Sequence, residues 1–132
     1  MYEQDDAPRE ACGVFGIYAP PAGASTAHAP EVDVARLTFF GLYALQHRGQ
    51  EAGGIVSYEP QSGFSSARRF GYVRDTFTKA SLMETLPGTL AIGHVRYSTT
   101  GDAVMRNVQP LFVDLESGGF ALCHNGNLTN AL

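Results

Sequence analysis

The 132-residue sequence predicts an α+β fold built on antiparallel sheet. Short apolar runs with strand character recur along the chain, and turns rich in Gly and Pro separate most of them. Only one stretch has the spacing of a longer amphipathic helix. Helices are therefore too few to supply the crossovers of a parallel sheet, and we expect antiparallel strands with the helices packed on an outer face.

The predicted strands are short, and turn residues between them indicate hairpins. A pair of glycines, Gly118-Gly119, is expected to form the last turn. The predicted strands cover residues 12–19, 53–58, 64–70, 89–96, 110–114 and 120–124.

One helix is predicted over about residues 31–46, from apolar or small residues spaced three and four apart. Gly49 is expected as the stop signal just past its end. Ser81 and Glu84 match a capping box, which predicts a second, short helix before Pro87. The inner side of the first helix is predicted to hold Val34, Leu37, Gly41, Ala44 and Leu45.

Charge and composition exclude several classes of protein. The 9 lysines and arginines against 13 aspartates and glutamates give a net charge of −4, so no basic patch points to a nucleic acid or an anionic membrane surface. The longest apolar stretch, residues 37–45, is far shorter than the roughly 20 residues of a membrane-spanning helix. The chain has 2 cysteines and no secretion signal, which favours a reducing, cytoplasmic location.

Residues 1–11 are polar and lack periodicity, which is typical of a disordered leader. If a leader ending in Ala11 were removed, the thiol of Cys12 and its own α-amine would belong to one terminal residue. An α-amine has a pKa of about 7.7–8, so it can accept the thiol proton near neutral pH. A buried thiol without a chemical role is the alternative interpretation of Cys12.

Polar stretches interrupt the apolar strands where strands end, at residues 46–51, 94–101 and 124–127. Each has a structural alternative to a role in chemistry. Arg48 could complement a helix dipole, Arg96 could be a surface arginine, and Asn125-Gly126 could form a simple turn.

The histidines and cysteines do not have the spacing of a metal site. The four histidines and two cysteines form neither a C-x-x-C nor an H-x-x-x-H pattern. The sequence also lacks a P-loop and the G-x-G-x-x-G pattern of a dinucleotide-binding loop. We therefore expect no metal, cofactor or phosphate-binding loop in this segment.

Several multi-residue blocks occur together in one order: CGVFGIY, LYALQHRGQEAGGIV, IGHVRYSTTG, NVQPL and HNGNLTNA. They resemble the class II glutaminase domain of the amidophosphoribosyltransferase family, over residues 12–132. The blocks QHRGQE and RYSTTG are more similar to that family than to the related glucosamine-6-phosphate synthases. Ser98 and Cys123 depart from the family pattern, which usually has Pro or Ala at the first position and Ala at the second.

The resemblance implies the N-terminal-nucleophile hydrolase sandwich, an αββα arrangement of antiparallel sheets, here incomplete at the C-terminus. It also implies that residues 1–11 are a propeptide. Residues 12–132 would then be the N-terminal, truncated portion of a type 2 glutamine amidotransferase domain.

The resemblance further implies which residues carry catalysis. Cys12 would attack the side-chain amide of glutamine and release ammonia, leaving a glutamyl thioester that water hydrolyses. The side-chain amide of Asn125 and the backbone N–H of Gly126 would form the oxyanion hole.

Substrate-binding residues are implied in the same way. Arg96 would bind the α-carboxylate of glutamine, because a planar guanidinium offers two parallel donors. Thr99 would be a supporting ligand, and Arg48 would lie close to the nucleophile.

The implied function is to supply ammonia for the synthesis of 5-phosphoribosylamine from phosphoribosyl pyrophosphate, the first step of de novo purine biosynthesis. Glutamine is the expected ligand of this segment, whereas phosphoribosyl pyrophosphate, magnesium and a 4Fe–4S cluster are expected in the missing C-terminal part. At full length we expect a cytoplasmic homo-oligomer without a nucleic acid or membrane partner. Two alternatives stay open, namely the glutaminase domain of another class II amidotransferase and a non-catalytic fragment.

Overall fold

The main element of the fold is a four-stranded antiparallel sheet. The computed structural model describes residues 12–21, 31–97 and 104–126. The α+β class with antiparallel pairing is confirmed. The sheet is formed by β1 (Gly13–Tyr18), β2 (Ala52–Glu59), β3 (Gly63–Phe70) and β4 (Leu90–Arg96). Their order across the sheet is β1-β4-β2-β3.

Helices cover one face of this sheet. The longest is α1 (Val34–Ala44), which begins after Asp33, whose carboxylate accepts a hydrogen bond from the Arg36 N–H at 2.9 Å. No helix within the described residues is long and apolar enough to span a membrane. Shorter helical segments are the 3₁₀ turn Gln46–Arg48, α2 (Val73–Thr76), α3 (Ala80–Glu84) and the 3₁₀ turn Met105–Asn107.

The inner side of α1 differs from the predicted one. Leu37 is 41% exposed and Ala44 is also exposed, so the prediction for these two residues is wrong. Thr38 faces the sheet instead, because its hydroxyl donates to the carbonyl of Val34 at 2.7 Å and is thereby satisfied in a buried position. The fully buried residues of the helix are Val34, Ala35, Thr38 and Leu42.

Gly49 does not end α1, which stops at Ala44, and its φ of −157° is extended rather than left-handed. The residue is buried under β4, where an added Cβ would lie 2.6 Å from the carbonyl carbon of Val95. Close backbone approach is therefore the reason that glycine is required at this position.

Two further local predictions are wrong. Ser81 lies inside α3 and not at its N-cap, which is Lys79 without a side-chain cap. Gly118 already belongs to a strand, so the last turn falls at residues 116–117. The predicted short helix before Pro87 is nevertheless present.

A hairpin of β5 (Leu111–Leu115) and β6 (Gly118–Leu122) forms a second, two-stranded sheet. Phe112 of this hairpin packs on Phe64 of β3, with ring centroids 5.2 Å apart. Phe64 lies on the face of the main sheet opposite α1, because side chains alternate along β2, β3 and β4. The described residues therefore form three layers: helices, main sheet and hairpin.

His94 of β4 is fully buried on the hairpin side of the main sheet. The pKa of His94 is lowered from 6.5 to about 4, chiefly by burial and to a smaller extent by the nearby charges of His124 and Arg96, against a backbone hydrogen bond to His124 that raises it. The imidazole is therefore neutral in the folded protein at neutral pH.

We predict that stability falls as the pH drops below neutral. In the unfolded chain His94 binds a proton near pH 6.5, and in the folded chain only near pH 4. The contribution of His94 to the free energy of unfolding is therefore complete above pH 6.5 and is lost as the pH falls towards 4. Between about pH 7.5 and about pH 5, the free energy of unfolding measured with urea should decrease by about 2 kcal/mol. The non-titrating variant His94→Gln should lose most of this dependence, and an equal decrease in both proteins would contradict the prediction.

Candidate active site

Cys12 lies directly before β1, at the edge where β4 ends. The antiparallel register sets Gly13 opposite Val95, so the two strands bring Cys12 next to Tyr97. The Tyr97 N–H donates to the Cys12 sulfur at 3.4 Å, and the thiol lies 3.5 Å from the Tyr97 carbonyl oxygen. A half-buried thiol is thus held by the backbone of a residue 85 positions away.

Arg48 lies beside Cys12. Its Nε donates to the carbonyl oxygen of Cys12 at 3.2 Å. The 3₁₀ turn that carries Arg48 is closed by Gln46, whose side-chain amide donates to the Gly49 carbonyl at 2.6 Å. The guanidinium of Arg48 therefore binds the main chain of Cys12. Arg48 also lies in the last turn of a short 3₁₀ helix.

Arg96 is a buried arginine, only 8% exposed, at the last position of β4. Its Nε lies 3.9 Å from the carboxylate of Glu51, which is a loose ion pair. Its Nη1 is buried and has no hydrogen-bond partner among the described residues. Since a buried polar group without a partner is rare in native proteins, this donor is suited to an anionic ligand.

The segment after β6 runs alongside β4 towards the same end. The Cys123 thiol lies 3.7 Å from the Gly93 carbonyl, and the His124 carbonyl lies 3.2 Å from Nε2 of His94, the next residue of β4. Asn125 and Gly126 follow His124 directly and are exposed. Gly126 has a φ of +123°, which L side chains rarely adopt, so glycine is required there.

The chain offers two free thiols, and they differ in their surroundings. Burial raises the pKa of the Cys123 thiol, which keeps it protonated. Cys12, in contrast, lies directly before β1, and its carbonyl oxygen accepts a hydrogen bond from Nε of Arg48. The thiol better placed for nucleophilic chemistry is that of Cys12.

Several predicted features lie outside the described residues. These are Thr99 and Ser98, the leader of residues 1–11, His28 and the chain beyond Gly126. Within the ranges that the structure describes, no three His, Cys, Asp or Glu side chains lie together as metal ligands.

Four residues around Cys12 and the 123–126 segment were not assigned a role from the sequence. Glu51 and Tyr97 occur in the quoted blocks, but their contacts depend on strand pairing over a long sequence separation. His94 and Gln109 hold the His124 backbone, and only the alternation of side chains along β4 places His94 on the hairpin side.

A cavity of about 360 Å³ lies at the opposite end of the sheet, near the end of β2. Its lining includes Glu31, Asp33, Glu59 and Glu84. Four carboxylates against the single guanidinium of Arg36 disfavour a substrate carboxylate there, so this cavity does not suit a carboxylate-bearing ligand such as glutamine.

Comparison with curated proteins identifies close relatives. An amidophosphoribosyltransferase of Rhizobium etli is 52% identical over 127 residues, covering 96% of this chain and 23% of the relative. That of Mycobacterium tuberculosis is 49% identical over 131 residues, covering 98% of this chain and 23% of the relative. The chain thus spans about a quarter of the length of these relatives, and no protein-family model matches it.

Solved structures agree with the sequence matches. One described as the allosteric regulatory enzyme of purine biosynthesis matches with a TM-score of 0.73 and 37% identity, over 89% of this chain and 23% of the other. Glutamine phosphoribosylpyrophosphate amidotransferase from B. subtilis, complexed with ADP and GMP, matches with a TM-score of 0.68 and 36% identity, over 89% of this chain and 22% of the other.

These matches confirm the N-terminal-nucleophile hydrolase architecture, of which the helices, main sheet and hairpin form a part. They also confirm the family that the sequence blocks resemble. The chain belongs to the amidophosphoribosyltransferase family and corresponds to the N-terminal part of its glutaminase domain.

Proposed function

We propose that this chain hydrolyses glutamine through Cys12 and supplies the ammonia for phosphoribosylamine synthesis. The observation that carries the proposal is the pairing of β1 with β4, which sets the Cys12 thiol against Tyr97, the neighbour of Arg96. A nucleophile beside a buried guanidinium with a free donor suits a substrate that has both an electrophilic amide and a carboxylate. Glutamine has both groups.

In the proposed reaction the sulfur of Cys12 bonds to the side-chain carbonyl carbon of glutamine. The thiol proton passes to the free α-amine of Cys12, which later gives it to the departing nitrogen, so that the C–N bond breaks and neutral ammonia leaves. Water then attacks the resulting thioester, its oxygen bonds to the carbonyl carbon, and glutamate is released with the thiol restored.

Negative charge develops on the carbonyl oxygen during both additions. We assign its stabilisation to the side-chain amide of Asn125 and the backbone N–H of Gly126. Both residues are exposed in this chain, which leaves their donors accessible to a substrate. One such donor typically contributes ~3–4 kcal/mol, because it is oriented before the charge appears.

We assign substrate binding to Arg96, with Thr99 as a supporting ligand. Glu51 forms a loose ion pair with Nε of Arg96, and Nη1 has no partner among the described residues, which leaves it for the substrate carboxylate. Arg48 donates to the Cys12 carbonyl, so its proposed role is to fix the main chain at the nucleophile.

We place the transfer to phosphoribosyl pyrophosphate outside these residues, because the chain spans only 23% of a relative named for that activity. Magnesium and a 4Fe–4S cluster would belong to the same remaining part, as would the contacts of a homo-oligomer. The two free cysteines support a location in the reducing cytoplasm.

We predict that Cys12→Ala, in the full-length enzyme that contains this chain, lowers glutamine-dependent synthesis by at least about a thousandfold. Synthesis from free ammonia should be retained, because ammonia reaches the acceptor without the thiol. Both rates can be measured as phosphoribosylamine formation. The matched control is Cys123→Ala, which removes the other thiol and introduces the residue usual in the family. Equal loss of both activities in Cys12→Ala would contradict the assignment.

We also predict that maturation cleaves the bond between Ala11 and Cys12. While Ala11 is attached, the nitrogen of Cys12 is an amide without basicity, so the thiol has no adjacent proton acceptor. Terminal sequencing and intact mass of the active enzyme should show a chain that begins Cys-Gly-Val-Phe-Gly. Fully active enzyme that retains the leader would exclude the α-amine as the base.

A further inference from the structure

Both backbone groups of His124 are held by buried or half-buried side chains. Its N–H donates to Oε1 of Gln109 at 2.8 Å, and its carbonyl oxygen lies 3.2 Å from Nε2 of His94. A carbonyl can only accept, so Nε2 of His94 carries the hydrogen and donates it. The neutral state of the imidazole leaves Nδ1 unprotonated.

The two side chains that hold His124 are themselves fixed to the main sheet. His94 is part of β4 and is fully buried. Gln109 approaches β2 so closely that a Cβ at Gly54 would lie 2.2 Å from the Gln109 carbonyl oxygen. Nη1 of Arg68 donates to the carbonyl of the preceding residue, Val108, at 3.3 Å. Three strands therefore support the contacts to the backbone of one residue.

The position of the His124 backbone matters because Asn125 and Gly126 follow it directly. An oxyanion hole is effective only if its donors are oriented before the charge develops, and an error of ~1 Å removes much of the effect. Asn125 and Gly126 are exposed, so the other described residues provide little packing around them. Among the described residues, the restraint next to them along the chain is the backbone of His124.

We propose that His94 and Gln109 are positioning residues that hold the backbone of His124 and thereby orient the oxyanion donors of Asn125 and Gly126. This inference rests on the proposed glutaminase function. Neither side chain contacts the reacting atoms, so each acts through the backbone of the segment that follows β6. The consequence is specific: loss of either contact lowers turnover and leaves the binding of the glutamine carboxylate by Arg96 unchanged.

The test uses pairs of variants of the full-length enzyme, each pair matched in size. Gln109→Met removes the acceptor for the His124 N–H, whereas Gln109→Glu keeps an oxygen at that position. His94→Leu removes the donor to the His124 carbonyl, whereas His94→Gln keeps an N–H near the place of Nε2. Arg96→Lys serves as the contrasting variant, because it weakens the carboxylate contact itself.

Glutamine hydrolysis is measured as kcat and KM, together with inhibition by the glutamine analogue that has an aldehyde in place of the amide. This aldehyde adds reversibly to a cysteine thiol and places its oxygen where the oxyanion forms. Gln109→Met and His94→Leu should lower kcat about 10-fold or more, with KM changed less than about twofold and the aldehyde bound about 10-fold more weakly. Gln109→Glu and His94→Gln should recover most of kcat, and Arg96→Lys should raise KM instead.

Unchanged kcat in both Gln109→Met and His94→Leu would overturn the inference. So would losses of kcat that accompany equal losses of ammonia-dependent synthesis and of the melting temperature, since these would indicate a structural role only. If Gln109→Met and His94→Leu fold poorly, the conservative variants decide the question. Gln109→Glu and His94→Gln that fold well but lose kcat would contradict the inference equally. Failure of the proposed function gives a different result, namely wild-type enzyme whose glutamine hydrolysis does not depend on Cys12.

Discussion

The antiparallel pairing of β1 with β4 is the constraint on which the rest of the site depends. It joins the beginning of the described chain to residues 72 to 82 positions away, from Gly13 opposite Val95 to Tyr18 opposite Leu90. Because β4 also pairs with β2, the strand that carries Arg96 is central in the sheet and cannot shift without breaking two ladders. The thiol of Cys12 is thus aligned with a rigid element rather than with a loop.

Alternation along β4 accounts for the placement of two buried polar side chains. His94 and Arg96 are two residues apart, so they lie on the same face, towards the hairpin. Burial of a guanidinium and an imidazole is unfavourable unless their hydrogen bonds are made. His94 makes one such hydrogen bond, from Nε2 to the His124 carbonyl. Nδ1 of His94 and Nη1 of Arg96 lack a partner among the described residues. An arrangement of this kind favours ligand binding over stability.

Much of the fold could be predicted from the sequence, because the strands follow local patterns. All six predicted strands are present within a few residues of their expected bounds, and β2 and β3 pair as the predicted hairpin. The strand order and the 3₁₀ turn beneath β4 could not be predicted, since both depend on contacts between distant segments. The inner face of α1 was partly missed because Thr38 is buried after satisfying its hydroxyl within the helix.

The site was predicted less completely than the fold. The resemblance assigned roles to Cys12, Arg48 and Arg96, and the structure brings these three to one end of the sheet. It gave no reason to single out Glu51 or Gln109, whose roles follow from distances that no sequence pattern contains. Side chains that position others have weak sequence signals, because any residue that donates or accepts in the right place can serve.

The most direct test of the account is covalent labelling of the active enzyme with a chloroketone analogue of glutamine, followed by peptide mapping. The account predicts a single adduct on Cys12, formed more slowly in the presence of glutamine, because Arg96 directs the analogue to that thiol. The Cys123 thiol should stay unmodified, since burial keeps it protonated. Labelling of Cys123 at a comparable rate, or labelling of Cys12 that glutamine does not slow, would contradict the central claim that the β1–β4 edge is the glutamine site.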